Sequence, residues 1–386
     1  MQNGEIKSFE VFETMRTANA GRLKEAREKG KKFAGVYCTF CPEELIIAAG
    51  AAPFGLCGTK EDPIAAAEQV LPRNLCPLIK SSYGFAATGT CPYFQASDLI
   101  IGETTCDGKK KMFEVMSEIK PVHVMQLPQM PDTDSSINLW KSELYRLKDA
   151  LEKTFGTEIT EEKLREAMRV KNRETEARRR VHDLNQRVPA VISGMKVMTA
   201  TWMSGFAIDK EEIIEALEAL TNETLVLAEQ GLAFGDEKTP RVMITGCPVG
   251  LGSEKVIRLV EENGGAVVGL ENCTGYKTLR LITDPDAPDL MDVLARKYLS
   301  IPCSCMSPNK GRMELLSDMI RDFKVDGVID LTWQACHTYN VESYTVSELV
   351  KQEKDLPFLQ LETDYSQSDV QTLNVRIAAF LEMIQK

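Results

Sequence analysis

Residues 96–116 read ASDLIIGETTCDGKKKMFEVM, in which an apolar segment runs into a polar turn and then into an amphipathic segment. The apolar residues 96–101 predict a strand, and the apolar spacing after the turn predicts a helix. The turn ends on Cys106, which Asp107 and Gly108 separate from three consecutive lysines. In open α/β sheets, ligands bind outside the carboxyl ends of strands, where loops meet helix N-termini. This stretch therefore predicts a βα unit with a thiol at a ligand-binding edge.

The environment expected for Cys106 favours its thiolate, because lysine side chains and the N–H groups of a helix N-terminus lie close by. Thiolate is the form in which cysteine binds metal. The other interpretation is that Cys106 is a small hydrophobic residue buried at the end of a strand. The same placement of cysteine recurs along the chain, and this recurrence favours a shared role for the thiols.

The composition indicates an ordinary globular protein of more than one domain. The chain has 386 residues, of which 43% are hydrophobic and 27% are charged, and this length favours two or three domains. A formal charge of −11 argues against nucleic-acid binding, which depends on basic surface. No apolar run approaches the length of a membrane span, and residues 1–5 lack the features of a signal peptide. We therefore expect a cytoplasmic protein that binds neither nucleic acid nor membrane.

Predicted strands alternate with predicted helices in two parts of the chain, residues 1–135 and 239–386. Such alternation is typical of parallel sheets with right-handed crossovers. Residues 136–238 show helical periodicity instead, with Trp140 and Leu144 on one apolar face. We therefore predict an α/β fold in which two Rossmann- or flavodoxin-like parallel-sheet domains face each other across a cleft, with a helical insert between them.

The eleven cysteines are concentrated at the ends of predicted strands. A reducing compartment disfavours disulfides, so buried thiols, redox pairs and metal ligands remain as roles. If the two sheets face each other, their strand ends converge and the thiols share one pocket. The strand-end cysteines are Cys38, Cys57 and Cys106 in the first domain and Cys247, Cys273 and Cys336 in the second, while Cys76, Cys91, Cys303 and Cys305 lie in intervening loops.

Three kinds of thiol chemistry are compatible with this distribution. Iron–sulfur clusters are held by cysteine thiolates, although the clustered ferredoxin spacing is absent here. A zinc site would combine Cys38 and Cys41 with the Cys303/Cys305 pair, but the two pairs lie on different predicted domains. A thioredoxin-like role for Cys38 and Cys41 leaves the other thiols unexplained.

Acid–base and nucleotide-binding signals are sparse. Of the three histidines, only His337 adjoins the end of a predicted strand. There it would either donate a proton beside a redox centre or hydrogen-bond a metal ligand, and Tyr339 and Glu342 are neighbouring candidates of the same kind. The glycine-rich turn at 246–252 lacks the full dinucleotide fingerprint and the P-loop lysine, which favours a structural turn. Any nucleotide chemistry is therefore expected in a partner protein.

Short motifs distributed over nearly the whole chain resemble the 2-hydroxyacyl-CoA dehydratase family. They are PEELI at 42–46, NLCP at 74–77, TCD at 105–107, VDGVI at 325–329 and LETDY at 361–365. The resemblance implies an iron–sulfur cubane held by three cysteines, which correspond to Cys76, Cys106 and Cys336. It also implies that a separate ATP-hydrolysing [4Fe–4S] activator supplies the electron.

The surplus of thiols is similar to that of the double-cubane cluster protein branch of the family. In that branch, two [4Fe–4S] cubanes share a bridging sulfide and are held by six cysteines. The resemblance implies a double-cubane [8Fe–9S] cluster, a homodimer, and ATP-dependent reduction of small molecules at very low potential. The further ligands are then expected among Cys38, Cys247, Cys273 and Cys305, followed by Cys303, whereas Cys41, Cys57 and Cys91 are expected to be structural.

Two other functions are compatible with the same residues. In the first, the chain is a subunit of a 2-hydroxyacyl-CoA dehydratase with a single [4Fe–4S] cluster. This function predicts a second, unlike subunit and an acyl-CoA substrate. Alternatively, it would carry electrons or clusters without a substrate of its own. Iron content and activity with an activator and ATP distinguish these functions from a double-cubane reductase.

Overall fold

The computed structural model of the protein describes residues 6–353 and 356–385. Residues 1–5, on which the expectation of no signal peptide rests, lie outside that part. The strands are β1 (Lys32–Val36), β2 (Ala51–Gly55), β3 (Leu99–Glu103), β4 (Val122–Met125), β5 (Arg241–Gly246), β6 (Ala266–Glu271), β7 (Gly327–Trp333) and β8 (Phe358–Thr363). The helices are α1 (Glu10–Glu28), α2 (Glu43–Ala48), α3 (Ile64–Ala67), α4 (Pro77–Thr88), α5 (Pro92–Ala96), α6 (Asp107–Met116), α7 (Asp134–Phe155), α8 (Glu161–Asp183), α9 (Gly194–Ser204), α10 (Lys210–Glu229), α11 (Lys255–Glu262), α12 (Leu290–Leu299), α13 (Lys310–Asp322), α14 (His337–Gln352) and α15 (Val370–Ile384).

The strands form two four-stranded sheets, with the orders β2-β1-β3-β4 and β6-β5-β7-β8. Neighbouring strands in both sheets are parallel. The predicted α/β fold with two parallel-sheet domains is thereby confirmed, while the predicted boundaries at 135 and 238 remain predictions. In each sheet the strand order reverses between the two central strands, β1 and β3 in one and β5 and β7 in the other. Such a switch point is where an open α/β sheet binds its ligand.

Most strand residues are apolar because helices cover both faces of each sheet, although β3 contains Glu103 and β7 contains Asp330, both buried. Every residue of β3, β5, β6 and β7 is buried. The edge strands β4 and β8 are only partly buried. The continuous apolar runs that predicted these strands are therefore the consequence of a two-sided core.

Helices α7 to α10 lie between the two sheets in chain order. The apolar stripe predicted for α7 is buried, and Trp140 and Leu144 have no exposed surface. Helix α9 was not predicted, because most of its faces are buried and it lacks the amphipathic period that marks a surface helix. Among the described helices, none combines the length and apolarity that crossing a bilayer requires.

The opening stretch folds as predicted, with a shift in its boundaries. The predicted strand 96–101 begins later, at Leu99, because residues 92–96 form α5. Pro92 occupies the first turn of α5, and the Cys91 sulfur accepts a hydrogen bond from the Phe94 N–H at 3.4 Å. Proline at this position is compatible with a helix start because its missing N–H would have no helical partner.

Buried polar contacts join the first sheet region to the second. The Glu44 carboxylate on α2 accepts hydrogen bonds from Lys297 Nζ at 2.7 Å and from the Tyr298 hydroxyl at 2.6 Å, both on α12. Near the strand ends, the Tyr365 hydroxyl donates to the Gly58 carbonyl at 3.1 Å. One hydrophobic core also contains residues of both sheets. These contacts fix the strand ends of the two sheets relative to each other.

Helix α6 packs closely against β3, and this packing sets the position of the turn that carries Cys106. Gly102 lies under the Phe113 ring, and a Cβ at Gly102 would come within 2.4 Å of a ring atom. A contact that short is impossible without moving the ring or the helix. Gly102 is therefore required by the close approach of α6.

We predict that Gly102→Ala lowers the free energy of unfolding by about 1–3 kcal/mol, because overpacking displaces Phe113 and α6. The matched control is Gly55→Ala on β2, where the nearest atom to an added Cβ is 3.9 Å away. The control should be neutral or slightly stabilising, because alanine in a strand loses less entropy than glycine. Urea unfolding of both variants measures the difference, and equal effects would contradict this account of the packing.

Candidate metal centre

The two switch points carry cysteines on all four of their strands. Cys38 follows β1 and Cys106 follows β3, while Cys247 follows β5 and Cys336 follows β7. All eleven cysteines are free. The thiols that lie near one another form two groups, which we call the first thiol group (Cys76, Cys106, Cys247 and Cys336) and the second thiol group (Cys38, Cys273, Cys303 and Cys305).

Helix N-termini position three members of the first thiol group. Cys76, Cys106 and Cys336 are the N-cap residues of α4, α6 and α14. The Cys106 sulfur accepts a hydrogen bond from the Lys109 N–H at 3.5 Å. The first N–H groups of a helix have no partner within it, and their partial positive charge favours a thiolate. At Cys106 burial outweighs these contacts and raises the pKa of the thiol, so the thiolate expected there from the sequence is not favoured in the metal-free protein.

Cys247 reaches the first thiol group through a turn that depends on glycine. Gly246 has φ +105°, and a Cβ there would lie 2.2 Å from the Leu331 carbonyl oxygen. The Cys247 N–H donates to that same oxygen at 2.8 Å, and its sulfur accepts from the Trp333 N–H at 3.3 Å. The end of β5 is therefore held against β7 with the Cys247 thiol turned toward the cysteine that follows β7.

The turn before Cys336 contains a residue in a left-handed conformation. Ala335 has φ +60°, a region that alanine occupies at a cost of about 1–3 kcal/mol. A hydrogen bond from the Cys336 N–H to the Trp333 carbonyl closes this turn at 2.9 Å. The surrounding structure therefore maintains a sharp turn that places the Cys336 thiol at the N-terminus of α14.

The Cys336 sulfur is in hydrogen-bonding contact with both Cys247 and Cys76. These contacts lower the pKa of Cys336 to about 3. The pKa of Cys76 is raised by its contact with Cys336 and by burial. The pKa of Cys247 is raised mainly by burial and also by its contact with Cys336. The first thiol group thus holds a thiolate at Cys336 between two protonated thiols, which is a donor set suited to a thiophilic metal.

The second thiol group is built on the turns after β1 and β6 and on the Cys-Ser-Cys segment. A hydrogen bond from Cys305 lowers the pKa of Cys303 to about 5, and the charge of Lys277 acts in the same direction. Burial raises the pKa of Cys273 to about 11 despite that lysine. Burial also raises the pKa of Cys38, which interacts with Cys273 and Cys303. This group, like the first, combines one thiolate with neighbouring thiols.

A buried lysine lies near members of both groups. Lys109 is 8% exposed, and its Nζ donates to the Tyr37 carbonyl at 2.7 Å. Its charge interacts with Cys38 of the second group and Cys106 of the first. Glu103 is fully buried nearby with no hydrogen-bond partner for either carboxylate oxygen, and burial raises its pKa to about 8. Lys109 therefore supplies positive charge on the edge where the two groups meet.

The remaining cysteines have other contacts. The Cys57 thiol donates to the Tyr37 carbonyl at 3.0 Å. Cys91 caps α5, and Cys41 is 2% exposed within a hydrophobic cluster. Cys57 also interacts with Cys273 of the second thiol group, and the structural roles expected for Cys41, Cys57 and Cys91 remain predictions. Cys38, Cys41, Cys303 and Cys305 share one hydrophobic cluster, but within the described residues no three such side chains are arranged to hold a single metal ion.

His337 and its neighbours differ in their relation to the thiols. His337 is exposed at the start of α14, one residue from Cys336. Glu342 instead accepts hydrogen bonds from Arg312 and from Asn309, the latter at 2.7 Å. Tyr339 is buried, and its hydroxyl lies 4.0 Å from the Cys303 sulfur. Of these three candidates, Tyr339 is the one with a hydrogen-bonding contact to a thiol.

Sequence reasoning ranked Cys303 low and did not single out Lys277. The structure places Cys303 in contact with Cys305, and it places Lys277 beside Tyr339. The Cys-Ser-Cys spacing was the available signal for Cys303, because two cysteines so close in sequence share one turn. No local signal identifies Lys277, whose role depends on a contact 62 residues away.

The two thiol groups offer ligands of the kind that an iron–sulfur cluster uses. Such clusters are bound by thiolates that are spread around a larger inorganic core. The four thiols of each group are buried or half-buried, which is compatible with holding such a core. Within residues 6–353 and 356–385, no three His, Cys, Asp or Glu side chains are arranged to hold a single metal ion.

Comparison with known proteins relates the whole chain to CoA-dependent enzymes. Residues 38–384 match the family described as "2-hydroxyglutaryl-CoA dehydratase, D-component". The chain is 48% identical to "Putative dehydratase subunit YjiM" of Escherichia coli K12, over 97% of each chain. It is 26% identical to the (R)-phenyllactyl-CoA dehydratase beta subunit of Clostridium sporogenes, over 94% of each chain. It is 21% identical to a benzoyl-CoA reductase subunit of Thauera aromatica, over 97% of this chain and 96% of that one.

We predict that in iron-free protein the rate of Cys336 alkylation by iodoacetamide is nearly constant between about pH 5 and pH 8. Its pKa of about 3 means that the thiolate, the reactive form, persists as the pH falls through this range. Cys106, whose pKa burial raises, should instead react about tenfold faster per pH unit. Mass spectrometry of the labelled peptides measures both rates.

Replacing Cys76 and Cys247 together by alanine is the control for this prediction. Without the two hydrogen bonds, the Cys336 pKa should rise and its alkylation rate should become pH-dependent. A Cys336 rate that increases tenfold per pH unit in the parent protein would contradict the proposed thiol contacts.

Proposed function

The chain belongs to the 2-hydroxyglutaryl-CoA dehydratase D-component family, and from that membership we propose that it is an iron–sulfur reductase with a double-cubane [8Fe–9S] cluster. The cluster would receive electrons from a separate ATP-hydrolysing [4Fe–4S] activator and reduce small molecules at low potential. The presence of two thiol groups, one more than a single cubane needs, is the observation that carries this proposal.

The proposed ligands come from both sheets. In the first thiol group, three of its members would hold one cubane, and Cys336 is central to that set because it contacts both Cys76 and Cys247. In the second thiol group, Cys38, Cys273 and Cys305 were the expected ligands, and the contact between Cys303 and Cys305 makes Cys303 an equal candidate. Each cubane would therefore use sulfurs from the first and the second sheet regions together.

The surroundings of the thiols support a low reduction potential. Cys247 and Trp333 are almost completely buried, as are Cys303 and Cys305. A cluster in such an interior resists the negative charge that reduction adds, because low polarizability around it stabilises that charge poorly. When bound, the cluster supplies low-potential electron transfer, and the chain contributes sulfur ligands, the exclusion of water and the positive charge of Lys109.

The need for ATP is assigned to a partner protein. The glycine-rich turn after β5 lacks a P-loop lysine, and Gly246 and Gly252 have positive φ. At Gly246 the reason is the close approach to β7 described above, which is a structural requirement. The designation D-component implies further components, and the expected partners are an activator and a second copy of this chain in the cytoplasm. His337, exposed beside Cys336, is proposed to assist proton delivery.

The alternative function is a subunit of a 2-hydroxyacyl-CoA dehydratase with a single [4Fe–4S] cluster. Two relatives are named as dehydratase beta subunits. This naming favours the alternative, because a beta subunit implies an unlike partner subunit. Under this alternative the first thiol group holds the cluster, because it contains Cys76, Cys106 and Cys336. The thiols of the second group would then have no inorganic ligand.

We predict about eight irons and a similar amount of sulfide per chain after anaerobic purification, because two cubanes contain twice the iron of one. Replacing Cys305 by alanine should reduce iron to about half, since it removes a ligand from the second thiol group. Colorimetric iron and sulfide analysis of the purified proteins measures both values.

The matched control is Cys91→Ala, which removes a cysteine that caps α5 and lies outside both groups. Its iron content should equal that of the parent protein. About four irons in the parent, unchanged by Cys305→Ala, would exclude the double cubane and support the dehydratase subunit.

We predict that the purified chain, supplied with an activator, ATP and a reductant, reduces a small unsaturated molecule such as acetylene without another subunit. Omitting ATP should abolish the reaction, because the activator uses ATP hydrolysis to deliver the low-potential electron. Gas chromatography of the product measures the rate. Dehydration of a 2-hydroxyacyl-CoA that requires a second subunit, with no reduction by the chain alone, would support the alternative.

A further inference from the structure

The second thiol group lies beside a buried network of charges, in addition to Lys109, whose charge acts on thiols of both groups. The side chains of Lys277, Glu271 and Arg312 have no exposed surface. Lys277 Nζ is 3.5 Å from Glu271 Oε1, and Arg312 Nε is 3.3 Å from Glu271 Oε2. Charges buried this deeply act through a medium of low dielectric constant, so their influence on nearby groups is strong.

Tyr339 connects this network to a thiol. Lys277 Nζ donates a hydrogen bond to the Tyr339 hydroxyl, and that hydroxyl lies 4.0 Å from the Cys303 sulfur. An ammonium group has donors and no acceptor, so the phenolic oxygen accepts from Lys277. The single phenolic O–H is therefore free to donate to the Cys303 sulfur when that sulfur is a thiolate ligand.

The orientation of Tyr339 is fixed by cations over its ring. Lys277 Nζ lies 4.8 Å from the ring centroid, and Arg312 Cζ lies 4.9 Å from it. Cation–π contacts of this kind are stronger where the groups are desolvated. Glu271 and Glu342 both pair with Arg312. The Lys277 ammonium, 3.5 Å from Glu271 Oε1, donates its hydrogen bond to the Tyr339 hydroxyl. The network thus directs a hydroxyl and a positive charge toward the thiols.

The first thiol group receives weaker donors. The Cys106 and Cys247 sulfurs accept backbone N–H groups at 3.5 and 3.3 Å, and Cys336 accepts from Thr338. Thr338 is exposed, so water competes for its hydroxyl. No donor to these sulfurs is itself hydrogen-bonded to a buried ammonium in the described residues. The two groups therefore differ in the positive charge that acts on their sulfur atoms.

Building on the proposed function, we propose that Lys277 and Tyr339 are positioning residues that raise the reduction potential of the cubane held by the second thiol group. Hydrogen bonds to ligand sulfurs and nearby positive charge both favour the reduced, more negative state of a cluster. An electron delivered to the double cubane would then favour the cubane held by the second thiol group.

The test is a redox titration of the iron-loaded protein followed by electron paramagnetic resonance, with Tyr339→Phe as the main variant. Phenylalanine keeps the ring but removes the hydroxyl that donates to Cys303. One cluster transition should move to lower potential, with a reduced-to-oxidised ratio at least tenfold smaller at a fixed potential, or about 59 mV for one electron. Lys277→Met should move the same transition in the same direction.

The matched control is Tyr276→Phe. Tyr276 is 4% exposed and packs against Phe323, but its hydroxyl donates to the Asp183 carboxylate at 2.7 Å. This variant should keep both iron content and potentials of the parent protein. The comparison separates loss of a hydrogen bond to sulfur from loss of any buried tyrosine hydroxyl.

Iron analysis makes the outcomes distinguishable. Full iron in both Tyr339→Phe and Lys277→Met with unchanged potentials would overturn the inference and leave the proposed function standing. Loss of about half the iron in both variants, with full iron in Tyr276→Phe, would also overturn it, because it would assign the pair a role in holding the cluster only. A parent protein without iron would refute the proposed function, and the inference with it.

Discussion

The structure depends on one geometric constraint, which is that the carboxyl ends of parallel strands meet at the switch point of each sheet. In both sheets the strands beside that point, β1 and β3 or β5 and β7, are followed by a cysteine. Because both sheets are fixed to each other by contacts such as Tyr365 to Gly58, thiols from both sheets come together. Cys106, Cys247 and Cys336 join the first thiol group, and Cys38 joins the second. No metal ligand needs to be close in sequence to another for this to happen.

The local chemistry at these strand ends is adapted to negative charge on sulfur. Helix N-termini, backbone N–H groups and Lys109 all face the thiols, and they favour thiolates in an interior that otherwise disfavours ions. The same interior makes a bound cluster difficult to reduce. An external source of energy for electron delivery is consistent with this environment, and the ATP-hydrolysing activator of the proposed function would be such a source.

The two thiol groups have different surroundings. Under the proposed function, this difference would favour electron transfer in one direction between the two cubanes. The first group is ordered by helix N-caps and by contacts among its own thiols, with Cys336 at its centre. The second group adjoins the buried network of Lys277, Arg312 and Glu271. A pair of linked redox centres needs such a difference if electrons are to move one way, since two equal centres would share an added electron.

The sequence by itself determined the alternation of strands and helices, the two-sheet fold and the presence of cysteines at strand ends. These features are local, because the spacing of apolar residues along a short segment indicates whether it forms a buried strand or an amphipathic helix. Only the tertiary structure decided that Cys247 joins Cys76 and Cys336, that Cys303 joins Cys305 and Cys38, and that Lys277 reaches Tyr339. These contacts join residues far apart in the chain, and they depend on how the two sheets are packed, which no local pattern encodes.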